Sequence, residues 1–259
     1  MVIYAFLFST LCFVLSCLGA SIVFFFKKNS KKADIFLHSF AAGVMIASGI
    51  FSLIIPAIDY CKELGLIDYI VLPTCFIIAM IMLYFLDLFS KEERGTINKK
   101  TLSIGIMLHN IPEGMCIGFA FASAMYLGTQ NAFMSAVMIA VGIGIQNIPE
   151  GSAVSFPLYS SGISKKKAFF TSVLVAIVEI PSALIAFAVG SNLISVLPFM
   201  LAFSGATMIA VACVDLMPES VSINKRWSIV FLFLGFVVMM FLDLALRWNS
   251  TMLCFKDKR

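Results

Sequence analysis

The sequence predicts an all-α membrane protein: eight transmembrane helices in a 3+2+3 inverted-repeat bundle. Three observations predict it. First, 61% of the 259 residues are hydrophobic and only 12% are charged, with a mean hydropathy of +1.03, whereas a soluble domain carries roughly 25% charged residues. Second, apolar runs recur that match the length of about 20 residues a spanning helix needs. Third, three pairs of segments repeat one another along the chain. This composition excludes an ordinary water-soluble enzyme, a disordered regulator and a secreted disulfide scaffold. The seven Cys are scattered without a C-x-x-C pair, so they are expected to be reduced thiols that behave as small apolar residues.

The spans fall at about 2–26, 33–58, 66–90, 101–127, 130–159, 167–190, 193–217 and 227–249, within a single transmembrane domain over 1–259. Unbroken apolar runs with no period of two make them helices rather than barrel strands. Basic residues follow every odd span: Lys27, Lys28, Lys31 and Lys32 after the first, and Lys91, Arg94, Lys99 and Lys100 after the third. Lys165, Lys166 and Lys167 follow the fifth, and Lys225 and Arg226 the seventh. These are 13 of the 18 Lys and Arg residues, and the opposite inter-span loops hold only Lys62. By the positive-inside rule the 13 face the cytoplasm and both termini lie outside. The net charge of +4 is therefore topogenic, and no nucleic acid is expected as a partner. The expected location is the plasma membrane.

Span two carries Phe40-Ala-Ala-Gly-Val-Met-Ile-Ala47, and span seven answers with Phe203-Ser-Gly-Ala-Thr-Met-Ile-Ala210. Each of these helices is expected to end at a proline, Pro56 or Pro218. Span three carries Phe85-Leu-Asp-Leu88, and span eight answers with Phe241-Leu-Asp-Leu244. Spans four and five share Asn-Ile-Pro-Glu-Gly, at 110–114 and 147–151. Each pair joins an even span to an odd one, so the partners cross the membrane in opposite directions. Inverted repeats of this kind mark transporters, whose binding site lies near the midplane. Spans four and five are then the central pair.

Besides Asp34 and Asp68 at span starts, the spans carry the acidic residues Asp87, Glu113, Glu150, Glu179, Asp215 and Asp243. At the bilayer centre each costs about 2.5–3.5 kcal/mol on insertion scales, so they must face the bundle interior, water or a cation. In span four His109 and Glu113 are four apart and share a helix face, and Asn110 adjoins Glu113. Span five repeats the layout with Gln146, Asn147 and Glu150. Pro112 and Pro149 each remove a backbone donor and are expected to bend the helices, freeing carbonyl oxygens at Leu108 and Ile145. Gly114 and Gly151 let neighbouring helices approach. An imidazole with several carboxylates suits a divalent transition metal such as Zn²⁺, Fe²⁺ or Mn²⁺, and the thioether of Met45 favours zinc or cadmium. Glu179 and Asp215 precede Pro181 and Pro218 and are further candidates. His38 lies at the cytoplasmic mouth.

At these residues the sequence resembles the ZIP (Zrt/Irt-like) family of divalent metal transporters. His109-Asn110-Ile-Pro112-Glu113-Gly114 is similar to the family's span-four metal motif, and Gln146-Asn147-Ile-Pro149-Glu150-Gly151 to its span-five motif. Gln146, where many members have His, together with Ala42-Gly43-Val44-Met45 and Phe51-Ser52-Leu53, looks like the GufA-like branch. The resemblance implies an eight-helix bundle with extracellular termini and a two-metal centre. Met45, His109, Glu113, Gln146 and Glu150 would form the primary site. Asn110, Glu113, Asn147, Glu150 and Glu179 would form or bridge a second, in which Asn147 stands where some relatives have Asp. Asp215 matches an acidic position lining the exit, with His38 on the same side. The family's His-rich loop between spans three and four has no counterpart, since residues 91–100 contain no His.

The function expected is therefore carriage of Zn²⁺, with Cd²⁺, Fe²⁺ or Mn²⁺ as further ions, across the bilayer into the cytoplasm. A homodimer is expected. Two other readings use the same residues. A proton-coupled carrier of another substrate would use the carboxylates as a relay. An intramembrane metal-dependent hydrolase would require H-E-x-x-H or several His, and the chain has two His in all.

Overall fold

The computed structural model describes residues 1–26, 31–89, 99–160, 162–190 and 194–256. Helices account for nearly all of them, and no strand occurs among the described residues. The elements are α1 (Val2–Ser21), α2 (Lys31–Ser48), α3 (Ile55–Glu63), α4 (Asp68–Phe89), α5 (Lys99–Leu127), α6 (Gln130–Ser160), α7 (Lys165–Ala176), α8 (Glu179–Gly190), α9 (Leu197–Val211) and α10 (Met217–Lys256). Six helical stretches among the described residues are long and apolar enough to cross a membrane, including Val2–Phe24, Lys32–Glu63 and Gln130–Ser160. With bilayer as the only solvent that suits such surfaces, the chain is an integral membrane protein.

Span two does not stop at Pro56. A π-turn, Gly49–Ile54, joins α2 to α3, and the helix continues to Glu63. Span seven does the same at Pro218: the π-turn Ala212–Leu216 joins α9 to α10. In each case the residue just before the proline bonds five residues back, Ile55 to the Ile50 carbonyl and Met217 to the Ala212 carbonyl. The wider turn absorbs the proline's missing donor and ring, which would otherwise break an α-helical ladder. The expected ends at both prolines are thus corrected to continuations. Nor do Pro112 and Pro149 end their helices, for α5 and α6 run through them. The break falls instead in span six, where α7 ends at Ala176 and α8 begins at Glu179. Pro181 is then the third residue of α8, where no intrahelical N–H partner is lost.

Spans seven and eight run together from Leu197 to Leu246 and are divided at Asn224, whose backbone is extended (φ −159°, ψ 100°). Its side-chain oxygen accepts from the backbone N–H of Arg226 (3.1 Å) and Trp227 (3.3 Å). Asn224 therefore caps the last helical stretch in the usual manner of a polar N-cap.

Close helix crossings build the bundle. α1 lies along α6, and α8 lies along α5; α2 lies along α10, and α9 lies along α4. A Cβ on Gly43 would meet the Leu232 carbonyl, and one on Gly235 the Phe40 carbonyl, so α2 and α10 touch backbone to backbone. The apolar core runs between these pairs and includes Phe121, Ile117, Ile143, Leu53, Leu201 and Leu216, all fully buried. Large apolar side chains of α1, α4 and α10 (Ile3, Leu18, Tyr69, Tyr84, Phe233, Phe241) point outward, as lipid-facing surface does.

Candidate metal-transport centre

Polar residues that would be costly in lipid are gathered where α5, α6 and α8 meet. Glu113 and Glu179 are fully buried, as are Gln146 and Asn147, and Asn110 and Glu150 are nearly so. The placement follows from the chain. Asn110 and Glu113 are one helical turn apart on α5, and Gln146, Asn147 and Glu150 occupy one turn of α6. Two glycines bring the flanking helices in. A Cβ on Gly114 would strike the Glu179 carbonyl and the Ser182 hydroxyl of α8, and one on Gly151 would strike the Ser16 carbonyl of α1. The motif's terminal glycine thus does the same work on both central helices, and on α5 it draws Glu179 to the cluster.

The hydrogen bonds join the helices in pairs. Gln146 Nε2 donates to Glu113 Oε1 (3.0 Å) across α6 and α5. Asn147 Nδ2 donates to both oxygens of Glu179 (2.9 and 3.0 Å) across α6 and α8. Asn110 Nδ2 reaches the Val175 carbonyl of α7 at 3.5 Å. Ser48 of α2 donates its hydroxyl to Gln146 Oε1. Three acceptor oxygens in this group, Glu113 Oε2, Asn110 Oδ1 and Asn147 Oδ1, are buried without a hydrogen-bond donor. Glu113, Glu150 and Glu179 are near enough to feel one another's charge. Carboxyl groups gathered with undonated oxygens in a low-dielectric interior offer a cation ligands that lack other partners.

Of the residues expected at the site, the structure thus brings together Glu113 with Gln146 and Asn147 with Glu179. Met45 is fully buried on α2. The side chain of His109 lies outside the described residues, as does that of Asp87. Among the described residues no three His, Cys, Asp or Glu side chains converge as a ready-made metal cage. An amide stands against each of two carboxylates instead, Gln146 on Glu113 and Asn147 on Glu179.

His38 lies inside the bundle. It is 1% exposed, its Nε2 is 3.3 Å from Glu219 Oε2, and its Nδ1 is 2.7 Å from the Asp34 carbonyl. Asp215 lies in the second π-turn, partly exposed. The carboxylate that meets His38 is therefore Glu219, a residue near a helix end that no sequence motif singles out. Ser48 and Met208 were not among the expected contacts, and Ser52 was named only as part of the span-two signature. Ser52 Oγ donates to Asp243 Oδ1 at 2.5 Å, which accounts for that buried acid on α10. Met208 Sδ lies 3.4 Å from Gln146 Nε2. A signal for Met208 was present, since the span-two repeat aligns it with Met45. Ser48 sits one turn from Met45 on the same face.

An all-helical membrane protein with acids and amides buried between its central helices is the class these features define. The sequence profile described as ZIP Zinc transporter matches residues 94–243. Zinc transporter ZIPB of Bordetella bronchiseptica is 30% identical over 259 aligned positions, covering 94% of this chain and 81% of the relative. Zinc transporter ZIP11 of Xenopus tropicalis is 40% identical over 149 positions, covering 56% of this chain and 43% of the relative. Zinc transporter GufA of Myxococcus xanthus is 37% identical over 145 positions, covering 55% and 54%. The chain belongs to the ZIP zinc transporter family. Its match to ZIP11 spans less than half of that relative's length.

Proposed function

We propose that the chain transports Zn²⁺ across the membrane into the cytoplasm, with Cd²⁺, Fe²⁺ and Mn²⁺ as further ions. The observation that carries the reading is the cluster of buried acceptor oxygens on Glu113, Asn110 and Asn147, within electrostatic range of Glu150 and Glu179. Family membership and the zinc transporters named among the relatives support it. The ion would be held near the midplane by Met45, His109, Glu113, Gln146 and Glu150, with Asn110, Asn147 and Glu179 forming or bridging a second position. His109 belongs to this set through its helical spacing from Glu113.

The amides give the site its character. Gln146 and Asn147 each hold a carboxylate through a neutral N–H donor. An arriving ion competes with those donors, so its affinity stays moderate, as transport requires, since the ion must also leave. Release would follow the side of the bundle bearing His38 and Asp215, now joined by Glu219.

The proposed architecture is eight spans in a 3+2+3 inverted repeat. The reciprocal packing of α1 on α6 with α8 on α5, and of α2 on α10 with α9 on α4, supports it, as do the matched π-turns before Pro56 and Pro218. Basic loops would face the cytoplasm and the termini the exterior of a plasma membrane, and the protein would act as a homodimer. Uptake of Zn²⁺ into proteoliposomes carrying an internal zinc dye tests the central claim. Glu113→Ala and His109→Ala are expected to abolish or sharply reduce uptake while the protein remains folded. Wild-type rates in the double variant would overturn it.

A further inference from the structure

We propose that Met208 is a second thioether contact for the transported ion, in addition to Met45, and that the two sulfurs together give the site a preference for soft divalent ions. The inference rests on the metal-transport reading above. It begins in the sequence. The eight-residue segment that carries Met45 in span two recurs in span seven, and the residue in the same place is Met208. Both side chains are fully buried, so neither belongs to the lipid-facing surface.

The geometry then sets Met208 apart from ordinary packing. Its sulfur lies 3.4 Å from Gln146 Nε2, and the same nitrogen lies 3.0 Å from Glu113 Oε1. A thioether from α9 and a carboxylate from α5 therefore address one point from two helices, and the amide NH₂ fills that point. Both groups are electron-pair donors turned toward positive hydrogen. A cation at the same point would be addressed by both.

Gln146 can supply the exchange. A half-turn of its terminal amide replaces the NH₂ with the carbonyl oxygen, adding a third donor where the hydrogens had been. Ser48, which now donates to Gln146 Oε1, can accept from the amide in the turned state, because a hydroxyl is both donor and acceptor. The amide is thus supported in either orientation. Glu113 keeps a further oxygen, Oε2, that accepts no hydrogen bond. Oxygen donors alone suit hard ions such as Mn²⁺, whereas thioethers select softer ones. Two sulfurs in place of one would tilt the site toward Cd²⁺ and Zn²⁺ and away from Mn²⁺.

Two measurements on the full-length protein test this. In the first, selenomethionine-labelled protein is loaded with Cd²⁺ in detergent and the cadmium edge is read by X-ray absorption. The Met45→Leu variant, which leaves Met208 in place, is expected to retain selenium in the cadmium shell. Met45→Leu combined with Met208→Leu is expected to lose it. In the second, Cd²⁺ and Mn²⁺ compete for uptake into proteoliposomes. Met208→Leu, close in volume to the original, is expected to shift the ratio of KM values toward Mn²⁺ by about tenfold, the change that about 1.4 kcal/mol makes.

No selenium around cadmium in the Met45→Leu protein would overturn the proposal, as would an unchanged KM ratio. Because the Met45→Leu arm of the absorption measurement leaves Met208 intact, absence of selenium there overturns the proposal even if variants that carry Met208→Leu fail to fold. Failure of the wild-type protein to bind or move any divalent ion would instead overturn the parent reading.

Discussion

Replacing Asn147 by Asp should make the protein's stability depend on metal. Asn147 Nδ2 is the donor that holds both oxygens of Glu179, at 2.9 and 3.0 Å, and both residues are fully buried. The substitution keeps the shape and removes that donor. It also places a second carboxylate against the first. Removing the partner of a buried charge costs about 3–5 kcal/mol. At about 2–4 °C per kcal/mol for a chain of this size, metal-free Asn147→Asp should melt roughly 6–20 °C below the parent. A dication between the two carboxylates reverses the effect, and binding to the folded state alone at a hundred times Kd restores about 2.7 kcal/mol. The assay is thermal unfolding of purified protein in detergent, with EDTA and with saturating Zn²⁺. Asn147→Leu is the control, since it loses the same hydrogen bond but adds no charge. The Asp variant should recover with zinc much further than the Leu variant. If Asn147→Asp melts within a degree of the parent in EDTA, or if zinc lifts both variants alike, the account of this pair is wrong.

Three further outcomes follow from local geometry. Gly151→Ala should lower stability by about 1–3 kcal/mol, because its Cβ would land on the Ser16 carbonyl, and Gly114→Ala should do the same against α8; melting in detergent checks both. Ser52→Ala removes the 2.5 Å donor to buried Asp243 and should cost about 1–3 kcal/mol, read by melting in detergent. Asn224→Ala strips the cap from the Arg226 and Trp227 amides and should cost about 1 kcal/mol, with hydrogen exchange rising first at those two positions.

The helical membrane class was legible in the sequence because composition acts over whole segments, and the apolar run at 130–159 lies within the helix Gln130–Ser160. That polar side chains gather inside the bundle was legible where a motif repeats, since the two copies of Asn-Ile-Pro-Glu-Gly place Asn110 and Glu113 on α5 and Asn147 and Glu150 on α6, all of them buried. Which group faces which was not legible. The bond from Asn147 to Glu179 depends on α8 being drawn in over Gly114, a contact between residues 65 apart in the chain (179 less 114). The pairing of His38 with Glu219 depends likewise on distant helices meeting. The π-turns escaped notice because proline alone does not say whether a helix stops or widens. That outcome is decided by the packing around it, where Gly49 of the first π-turn sits against the Gly205 carbonyl of α9.

Those two wide turns have a consequence for how the chain tolerates change in length. Each accommodates one residue more than an α-helical turn would hold, so deleting a single residue within 49–54 would let the ladder close. Everything beyond would then keep nearly its present angular phase, because the wide turn sweeps about the same angle as an α-helical stretch one residue shorter, and Ala57, Tyr60 and Cys61 of α3 would stay turned toward the core they now occupy. The spare residue is absorbed in the width of the turn and not in the phase of the downstream half-helix. A deletion here would be felt as a small shortening, whereas one in the regular turns on either side would rotate the rest of the span by about 100°.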